Sequence, residues 1–118
     1  MPHILVVEDD PATLTLVRVG LSKAGYSVLE AHNGKDAQLK MGFQKPDLIL
    51  TDVYMPDMDG VDLLGYIRDN PETRKLPIII MTANAQMEQG FRKVGVSDFI
   101  TKPIRIDDLQ EKIKKCLP

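Results

Sequence analysis

Residues 46–60 read PDLILTDVYMPDMDG, and this stretch indicates the type of fold. Residues 48–51 form a short run of apolar and β-branched residues, which is typical of a buried strand. The run ends on Asp52, and a loop that contains Pro56 and Gly60 follows. A carboxylate placed directly after a buried strand is expected to belong to a functional site. Residues at the ends of the other strands are then expected to line the same site.

Composition limits the class of protein. A length of 118 residues predicts one domain with its own core. The contents of 43% hydrophobic and 27% charged residues are typical of a soluble globular protein. A net charge of -2 without a basic stripe gives no indication of direct nucleic-acid binding. The single cysteine excludes an internal disulfide. No apolar run approaches the roughly 20 residues of a membrane span, so we expect a cytoplasmic protein without membrane contact.

Five strand patterns alternate with five helix patterns along the chain. Strands are predicted at residues 3–7, 27–31, 48–51, 77–81 and 97–101, and helices at 11–24, 35–43, 61–69, 86–94 and 106–117. Asp10 followed by Pro11 is a typical helix start, and Gly25 is a typical helix stop. This alternation predicts an α/β fold in which helices cover both faces of a parallel sheet.

Two helices carry more specific expectations. In the helix at 61–69, Val61, Leu64 and either Tyr66 or Ile67 are expected to face the core. Gly90 lies inside the helix at 86–94, and glycine costs about 1 kcal/mol relative to alanine there. We therefore expect residues 86–94 to form the least stable helix of the domain.

The strand ends carry the chemically active residues. Ligands of an open parallel sheet bind beyond the carboxyl ends of its strands. Taken one at a time, the residues there have ordinary roles as a helix cap, a strand end or a surface lysine. Together, at four strand ends of one sheet, they predict a functional site. The set comprises Glu8 and Asp9 after the first strand, Asp52 after the third, Thr82 after the fourth and Lys102 after the fifth.

The charges of this set predict a metal. Three carboxylates and one ammonium give a formal charge of -2, and gathered carboxylates repel each other unless a cation is bound. Oxygen ligands favour Mg²⁺ or Mn²⁺ over Zn²⁺. We expect Asp9 and Asp52 to bind the metal directly and Glu8 to bind it through water.

A carboxylate beside such a metal can also attack phosphorus. Phosphoryl transfer depends mainly on positioning and on neutralisation of oxygen charge. In this hypothesis Asp52 is the nucleophile, and Mg²⁺ and Lys102 hold the phosphoryl oxygens. The hydroxyl of Thr82 donates a hydrogen bond to one of those oxygens.

Four motifs now identify a family resemblance. They are ILVVEDD at 4–10, LILTDVYMPDMDG at 48–60, IIIMTA at 78–83 and DFITKP at 98–103. Their order and spacing resemble the response-regulator receiver domain, as in the chemotaxis regulator, over the whole chain. The resemblance implies a single (βα)5 flavodoxin-like three-layer sandwich with strand order 2-1-3-4-5. It also implies one receiver domain over residues 1–118. Because the sequence stops as soon as the last predicted helix is complete, we expect no effector domain.

The resemblance assigns a role to each matched residue. Asp52 corresponds to the phospho-acceptor, and Glu8 and Asp9 correspond to the acidic pair that holds Mg²⁺. The further assignments, also implied by the family alone, are the backbone carbonyl of Tyr54 as another metal ligand, Thr82 as the switch hydroxyl, Phe99 as the switch aromatic, Lys102 as the phosphate-binding lysine, and a cis Lys102–Pro103 bond.

The implied function is two-component phosphorelay signalling. A histidine kinase or phosphotransfer protein donates the phosphoryl group, and a downstream protein reads the surface of helix 86–94, the fifth strand and the last helix. A phosphorylation-dependent dimer is a further expected state. We expect no turnover enzyme, only self-catalysed phosphoryl transfer to Asp52 and slow autodephosphorylation.

Two other functions remain open at this point. A Mg²⁺-dependent phosphatase could use an aspartyl phosphate, but it needs a second acid two residues after Asp52, where Tyr54 stands. A receiver-shaped binding module that is never phosphorylated is the other alternative. The complete set of site residues argues against that module.

Overall fold

The computed structural model describes residues 2–52, 60–82 and 95–117, which contain five strands and four helices. The strands are β1 (His3–Val7), β2 (Ser27–Ala31), β3 (Leu48–Asp52), β4 (Ile78–Thr82) and β5 (Asp98–Thr101). The helices are α1 (Pro11–Lys23), α2 (Gly34–Phe43), α3 (Gly60–Asp69) and α4 (Ile106–Cys116). The helix predicted at 86–94 lies outside the described residues. None of the described helices has the length and apolarity to cross a bilayer.

The five strands form one parallel sheet in the order β2-β1-β3-β4-β5, which confirms the predicted flavodoxin-like order. Val7 pairs with Ala31 of β2 and with Thr51 of β3. Thr82 pairs with Thr101 of β5. This register brings the carboxyl ends of the strands together at one edge, which we call the carboxyl edge.

Two apolar layers cover the sheet. Because side chains alternate along a strand, Leu5 and Val7 enter one layer and Ile4 and Val6 enter the other. The first layer is completed by α2 and α3, and the second by α1 and α4. The arrangement is the predicted three-layer sandwich. Cys116 packs against the second layer.

The helix starts follow from local chemistry. The carboxylate of Asp10 accepts from the backbone N–H of Thr13 at 3.2 Å, and Pro11 begins α1. Asn33 caps α2 in the same way by accepting from the N–H of Asp36 at 2.8 Å. A side-chain acceptor at the cap satisfies one of the free N–H groups of the first turn. These contacts fix where each helix leaves the carboxyl edge.

The inward face of α3 differs in part from the expectation. Leu63, Leu64 and Ile67 are buried, whereas Tyr66 is 37% exposed, so Ile67 rather than Tyr66 faces the core. Leu63 was not expected in the core, yet it lies one turn before Ile67 on the same face. The side chain of Val61 lies outside the described part of the chain.

Arg68 connects α3 to two other segments. Its guanidinium donates to the backbone carbonyls of Arg74 and Leu76 at 2.7 and 2.8 Å, and also to the carbonyl of Gly95. Gly95 has a positive φ of 84°, which is accessible to glycine without strain. The contact therefore joins α3, the connection to β4 and the segment that leads into β5.

Two helical glycines have opposite surroundings, which gives a matched pair of substitutions. A Cβ added at Gly20 of α1 would lie 2.6 to 2.8 Å from three side-chain atoms of Ile106, whereas a Cβ at Gly65 of α3 meets nothing within 4 Å. We expect Gly20→Ala to lower the free energy of unfolding by about 1–3 kcal/mol through overpacking. Gly65→Ala should raise it by about 0.5–1 kcal/mol through helix propensity. Urea unfolding at low protein concentration measures both, and equal effects of the two changes would contradict this packing.

Candidate functional site

Two buried carboxylates lie side by side at the carboxyl edge. Asp52 is the last residue of β3 and only 7% exposed, and Glu8 directly follows β1 and is fully buried. Their proximity follows from the pairing of β1 with β3. Asp9 is exposed at the rim, and carboxylate oxygens of Glu8, Asp9 and Asp52 lie within 4.8 Å of one another.

Lys102 reaches both buried acids from beyond the end of β5. Its Nζ donates to Oε1 of Glu8 at 2.7 Å and also donates to Oδ2 of Asp52. Its backbone N–H donates to the carbonyl of Thr82 at 2.8 Å, which fixes the start of the side chain at the end of β4. The side chains of Glu8, Asp9, Asp52 and Lys102 therefore converge, and Thr82 adjoins them through its backbone carbonyl. The ammonium partly neutralises the two buried carboxylates.

Burial changes the protonation of this cluster. Loss of hydration is the main cause that raises the pKa of Glu8 from 4.5 to about 7. The hydrogen bond from Lys102 opposes this rise, and the neighbouring Asp52 adds to it. Burial by itself lowers the pKa of Lys102, but its hydrogen bonds to Asp52 and Glu8 outweigh that effect and the pKa rises. The ammonium is therefore kept, and burial makes the carboxyl of Glu8 easier to protonate than an exposed glutamate.

Two supporting contacts were not predicted. The backbone N–H of Asp10 donates to Oε2 of Glu8 at 3.3 Å, and the hydroxyl of buried Thr51 donates to the carbonyl of Asp52 at 2.9 Å. The sequence indicated Asp10 only as a helix cap, and any residue except proline could supply the same N–H. The contact from Asp10 therefore carries no residue-type signal.

The predicted switch residues lie in neighbouring strands. Thr82 ends β4 and is 3% exposed. Phe99 of β5 is 6% exposed and belongs to the apolar layer beneath α2 and α3. The Lys102–Pro103 bond is cis, as the resemblance implied. Tyr54, the predicted carbonyl ligand, lies outside the described residues.

The donor set fits a hard divalent cation. Three carboxylates that converge at the end of a sheet supply oxygen ligands, which suit Mg²⁺ or Mn²⁺ better than softer metals. The same edge holds a carboxylate, an ammonium and a hydroxyl, provided by Asp52, Lys102 and Thr82. This combination can hold a metal and a phosphoryl group against one buried carboxylate.

Known proteins show the same pattern over the whole chain. The family model "Response regulator receiver domain" matches residues 4–114. The DNA-binding dual master transcriptional regulator RpaA of Synechocystis is 34% identical, with 99% of this chain and 49% of that protein covered. The polar-differentiation response regulator DivK of Brucella anthropi is 32% identical, with 97% of this chain and 94% of that protein covered. The chain spans about half the length of the first curated relatives that it matches.

Solved structures agree with the family assignment. The chemotaxis response regulator CheY4 of Vibrio cholerae superposes with a TM-score of 0.93 at 28% identity, covering 99% of both chains. The receiver domain of sensor histidine kinase PA1611 from Pseudomonas aeruginosa gives a TM-score of 0.89 at 31% identity, covering 98% of this chain and 96% of that one. That structure contains a magnesium ion coordinated in the active site cleft. The resemblance predicted from four motifs is confirmed, and the chain belongs to the response regulator receiver domain family of two-component signalling.

Proposed function

We propose that Asp52 accepts a phosphoryl group from a histidine kinase or a phosphotransfer protein, and that this modification switches a protein-binding surface. The observation that carries the proposal is the placement of Asp52. It is a 7% exposed carboxylate at the end of a central strand, with oxygens of Glu8 and Asp9 within 4.8 Å and the ammonium of Lys102 in hydrogen-bond contact.

The transfer needs little covalent machinery from the protein. A carboxylate oxygen of Asp52 forms a bond to phosphorus while the bond from phosphorus to the donor histidine nitrogen breaks, and the electron pair leaves with the imidazole. Catalysis of such a step is mainly positioning and charge neutralisation. Lys102 already contacts Asp52, so its ammonium is placed to bind an oxygen of the attached group. The hydroxyl of Thr82 is the proposed second donor.

Glu8, Asp9 and Asp52 would hold the metal, with Mg²⁺ as the proposed ion and Mn²⁺ as a substitute. The backbone carbonyl of Tyr54 remains a proposed ligand from the family resemblance. The bound cation supplies positive charge beside the phosphoryl oxygens. The magnesium in the related PA1611 receiver domain supports this choice of ion.

The proposed output is a two-state population shift. Thr82 turns towards the phosphoryl group, and the ring of Phe99 changes its burial in response. The affected surface combines β5, α4 and residues 86–94, and a downstream protein, or a second copy in a phosphorylation-dependent dimer, reads it. In this proposal residues 1–118 act as one receiver domain that signals by protein contact, and its only chemistry is its own phosphorylation and slow dephosphorylation.

Chemical phosphorylation tests the acceptor directly. Incubation with a small acyl-phosphate donor and Mg²⁺ should add one phosphoryl group to the wild type, and Asp52→Asn should abolish the addition because amide nitrogen and oxygen are poor nucleophiles. Intact-protein mass spectrometry at low temperature measures the product. Asp69→Asn, at an exposed site on α3, is the matched control and should be labelled normally.

Three results would count against this function. If Asp52→Asn is labelled to the same extent as the wild type, the assignment of Asp52 as the acceptor is refuted. Absence of labelling in the wild type favours a receiver-shaped binding module. Multiple turnover of phosphate monoesters favours a phosphatase.

Metal binding should be visible as added stability. A ligand that binds only the folded state stabilises it by about 2.7 kcal/mol at 100 times its dissociation constant. We expect Mg²⁺ to raise the melting temperature of the wild type and to have a much smaller effect on Asp9→Asn, which removes an exposed ligand at little cost to packing. Asp69→Asn should respond as the wild type does, and an undiminished response of Asp9→Asn would exclude it as a ligand.

The pH dependence of stability should report Glu8. A carboxyl whose pKa rises on folding binds its proton more tightly in the folded state, so folding takes up a proton between the two pKa values. For Glu8 those values are 4.5 and about 7, so its contribution to stability falls as pH rises through this window. In the presence of a chelator, the free energy of unfolding of Glu8→Gln should therefore increase relative to that of the wild type as the pH is raised from 4.5 to about 7. Urea unfolding at a series of pH values measures this difference. A constant difference would show that Glu8 keeps its ordinary pKa.

A further inference from the structure

A cavity of about 700 Å³ lies at the end of the sheet opposite to the carboxyl edge. Three of its lining residues, Pro2, Asp47 and Pro77, directly precede β1, β3 and β4, and the end of α4 completes the lining. We call it the amino-edge cavity. Pockets of about 300–1,000 Å³ are typical of sites for small ligands. None of its lining residues in the described part of the chain belongs to the cluster around Asp52.

Apolar side chains form much of the lining of this cavity. Pro46 is buried, and Leu76, Pro77, Cys116 and Leu117 are half-buried. An apolar lining that also carries a few polar groups is the common composition of ligand pockets. The amino-edge cavity can therefore hold the apolar part of a ligand.

Backbone hydrogen bonds fix the walls of the cavity. The N–H of Asp47 donates to the carbonyl of His3 at 2.7 Å, and the N–H of Ile49 donates to the carbonyl of Pro77 at 3.0 Å. The rings of Pro46 and Pro77 also restrict their own φ angles. A site whose walls are fixed before binding loses little conformational freedom when a ligand enters.

Lys45 and Lys75 supply positive charge to the lining. Both are exposed, and they lie in the segments that lead into β3 and β4. Within the described part of the chain, neither lysine forms an ion pair. The remaining charged residue of the lining is Asp47, whose carboxylate accepts from the backbone N–H of His3 at 2.7 Å. Two lysines and one aspartate give a formal charge of +1, which favours a ligand with a single negative charge.

The end of α4 adds a smaller, opposing charge. The last carbonyl groups of a helix carry partial negative charge, whose effect falls off within one turn. Lys114 and Lys115 lie in the last turn of α4 and offset that charge. The charge at the cavity is therefore set mainly by Lys45 and Lys75.

We propose that the amino-edge cavity binds a small organic carboxylate with an apolar body. The body contacts Leu76, Pro77 and Leu117, and the carboxylate pairs with Lys45 and Lys75. The strands β1, β3 and β4 each have five residues, so their two ends lie about 15 Å apart. Binding at the amino edge is therefore separate from the chemistry of the carboxyl edge and needs no Mg²⁺.

Titration of the full chain with naphthoate, an aromatic carboxylate, tests the class of ligand. In chelator, the amide NMR signals of Lys45, Leu76 and Leu117 should shift with a dissociation constant of about 1 mM, as expected of a weak ligand of this size. Added Mg²⁺ should leave this constant unchanged. Naphthamide, which has the same ring but no charge, should bind roughly threefold more weakly. Absence of saturable shifts up to about 10 mM overturns the proposal, and so does equal affinity for naphthamide.

The thiol of Cys116 reports where the ligand binds. It is the only cysteine of the chain, and it lines the cavity. Bound naphthoate should slow the alkylation of this thiol by iodoacetamide, with the same concentration dependence as the NMR shifts. Intact-protein mass spectrometry measures the rate. If naphthoate shifts the NMR signals but leaves the alkylation rate unchanged, the ligand lies elsewhere and the proposal is overturned.

Substitution of the lysines tests the charged contact. Lys45→Gln and Lys75→Gln should each weaken naphthoate binding by roughly threefold, which is the size expected for an exposed ion pair. Lys35→Gln is the matched control, because Lys35 is an exposed lysine at the start of α2, close to the carboxyl edge. Circular dichroism confirms that each variant is folded. Unchanged affinity in both cavity variants, or an equal loss in Lys35→Gln, contradicts the proposed site.

Discussion

The ammonium of Lys102 between Glu8 and Asp52 is the contact on which the carboxyl edge depends. Two carboxylates buried side by side repel each other, and removal of their shared cation leaves buried charge without compensation. The strand order makes the contact possible. β1 and β3 are neighbours, so their terminal acids adjoin, and β5 lies two strands from β3, within reach of a long lysine side chain. The arrangement of charges at the carboxyl edge therefore depends directly on the order of the strands in the sheet.

This constraint connects the resting structure with the proposed chemistry. Two of the three acids that would hold the metal, Glu8 and Asp52, are also the groups that pair with the ammonium of Lys102. In the proposed reaction the ammonium of Lys102 would bind the phosphoryl oxygens, and Glu8, Asp9 and Asp52 would hold the cation. The negative charge of the buried carboxylates would therefore be compensated by different cationic groups in the resting form and in the phosphorylated form. The backbone N–H of Lys102 donates to the carbonyl of Thr82. A movement of the Lys102 side chain would therefore occur next to the residue whose hydroxyl is the proposed switch.

The sequence predicted the elements better than their contacts. Short apolar runs located the strands to within a residue, and Asp10 with Pro11 located the start of α1, because these signals are local. The order of the strands came from the family resemblance, since periodicity does not state which strands are neighbours. Along α3, Tyr66 and Ile67 are adjacent and 100° apart, so spacing alone left the choice open. The outward position of Leu39 and Phe43 on α2 is likewise set by how the helix is rotated against the sheet.

The site shows the same division between local and long-range information. Glu8, Asp9, Asp52, Thr82 and Lys102 were identifiable because each follows a strand pattern. The full burial of Glu8 and its bond to a lysine 94 positions away in the chain were not predicted. No local pattern encodes a contact between residues so far apart. Its raised pKa is a consequence of that burial and belongs to the folded protein alone.

The guanidinium of Arg68 has a consequence for how this chain tolerates sequence change. Its acceptors are main-chain carbonyls at positions 74, 76 and 95, and a carbonyl is present whatever side chain occupies the position. A substitution at the exposed position 74 therefore leaves the contact in place, whereas Leu76 also packs against the first apolar layer. Lysine cannot replace Arg68, because a single ammonium lacks the planar, branched donor set of a guanidinium. The junction thus depends on the side chain of Arg68 and on Gly95, whose positive φ favours glycine.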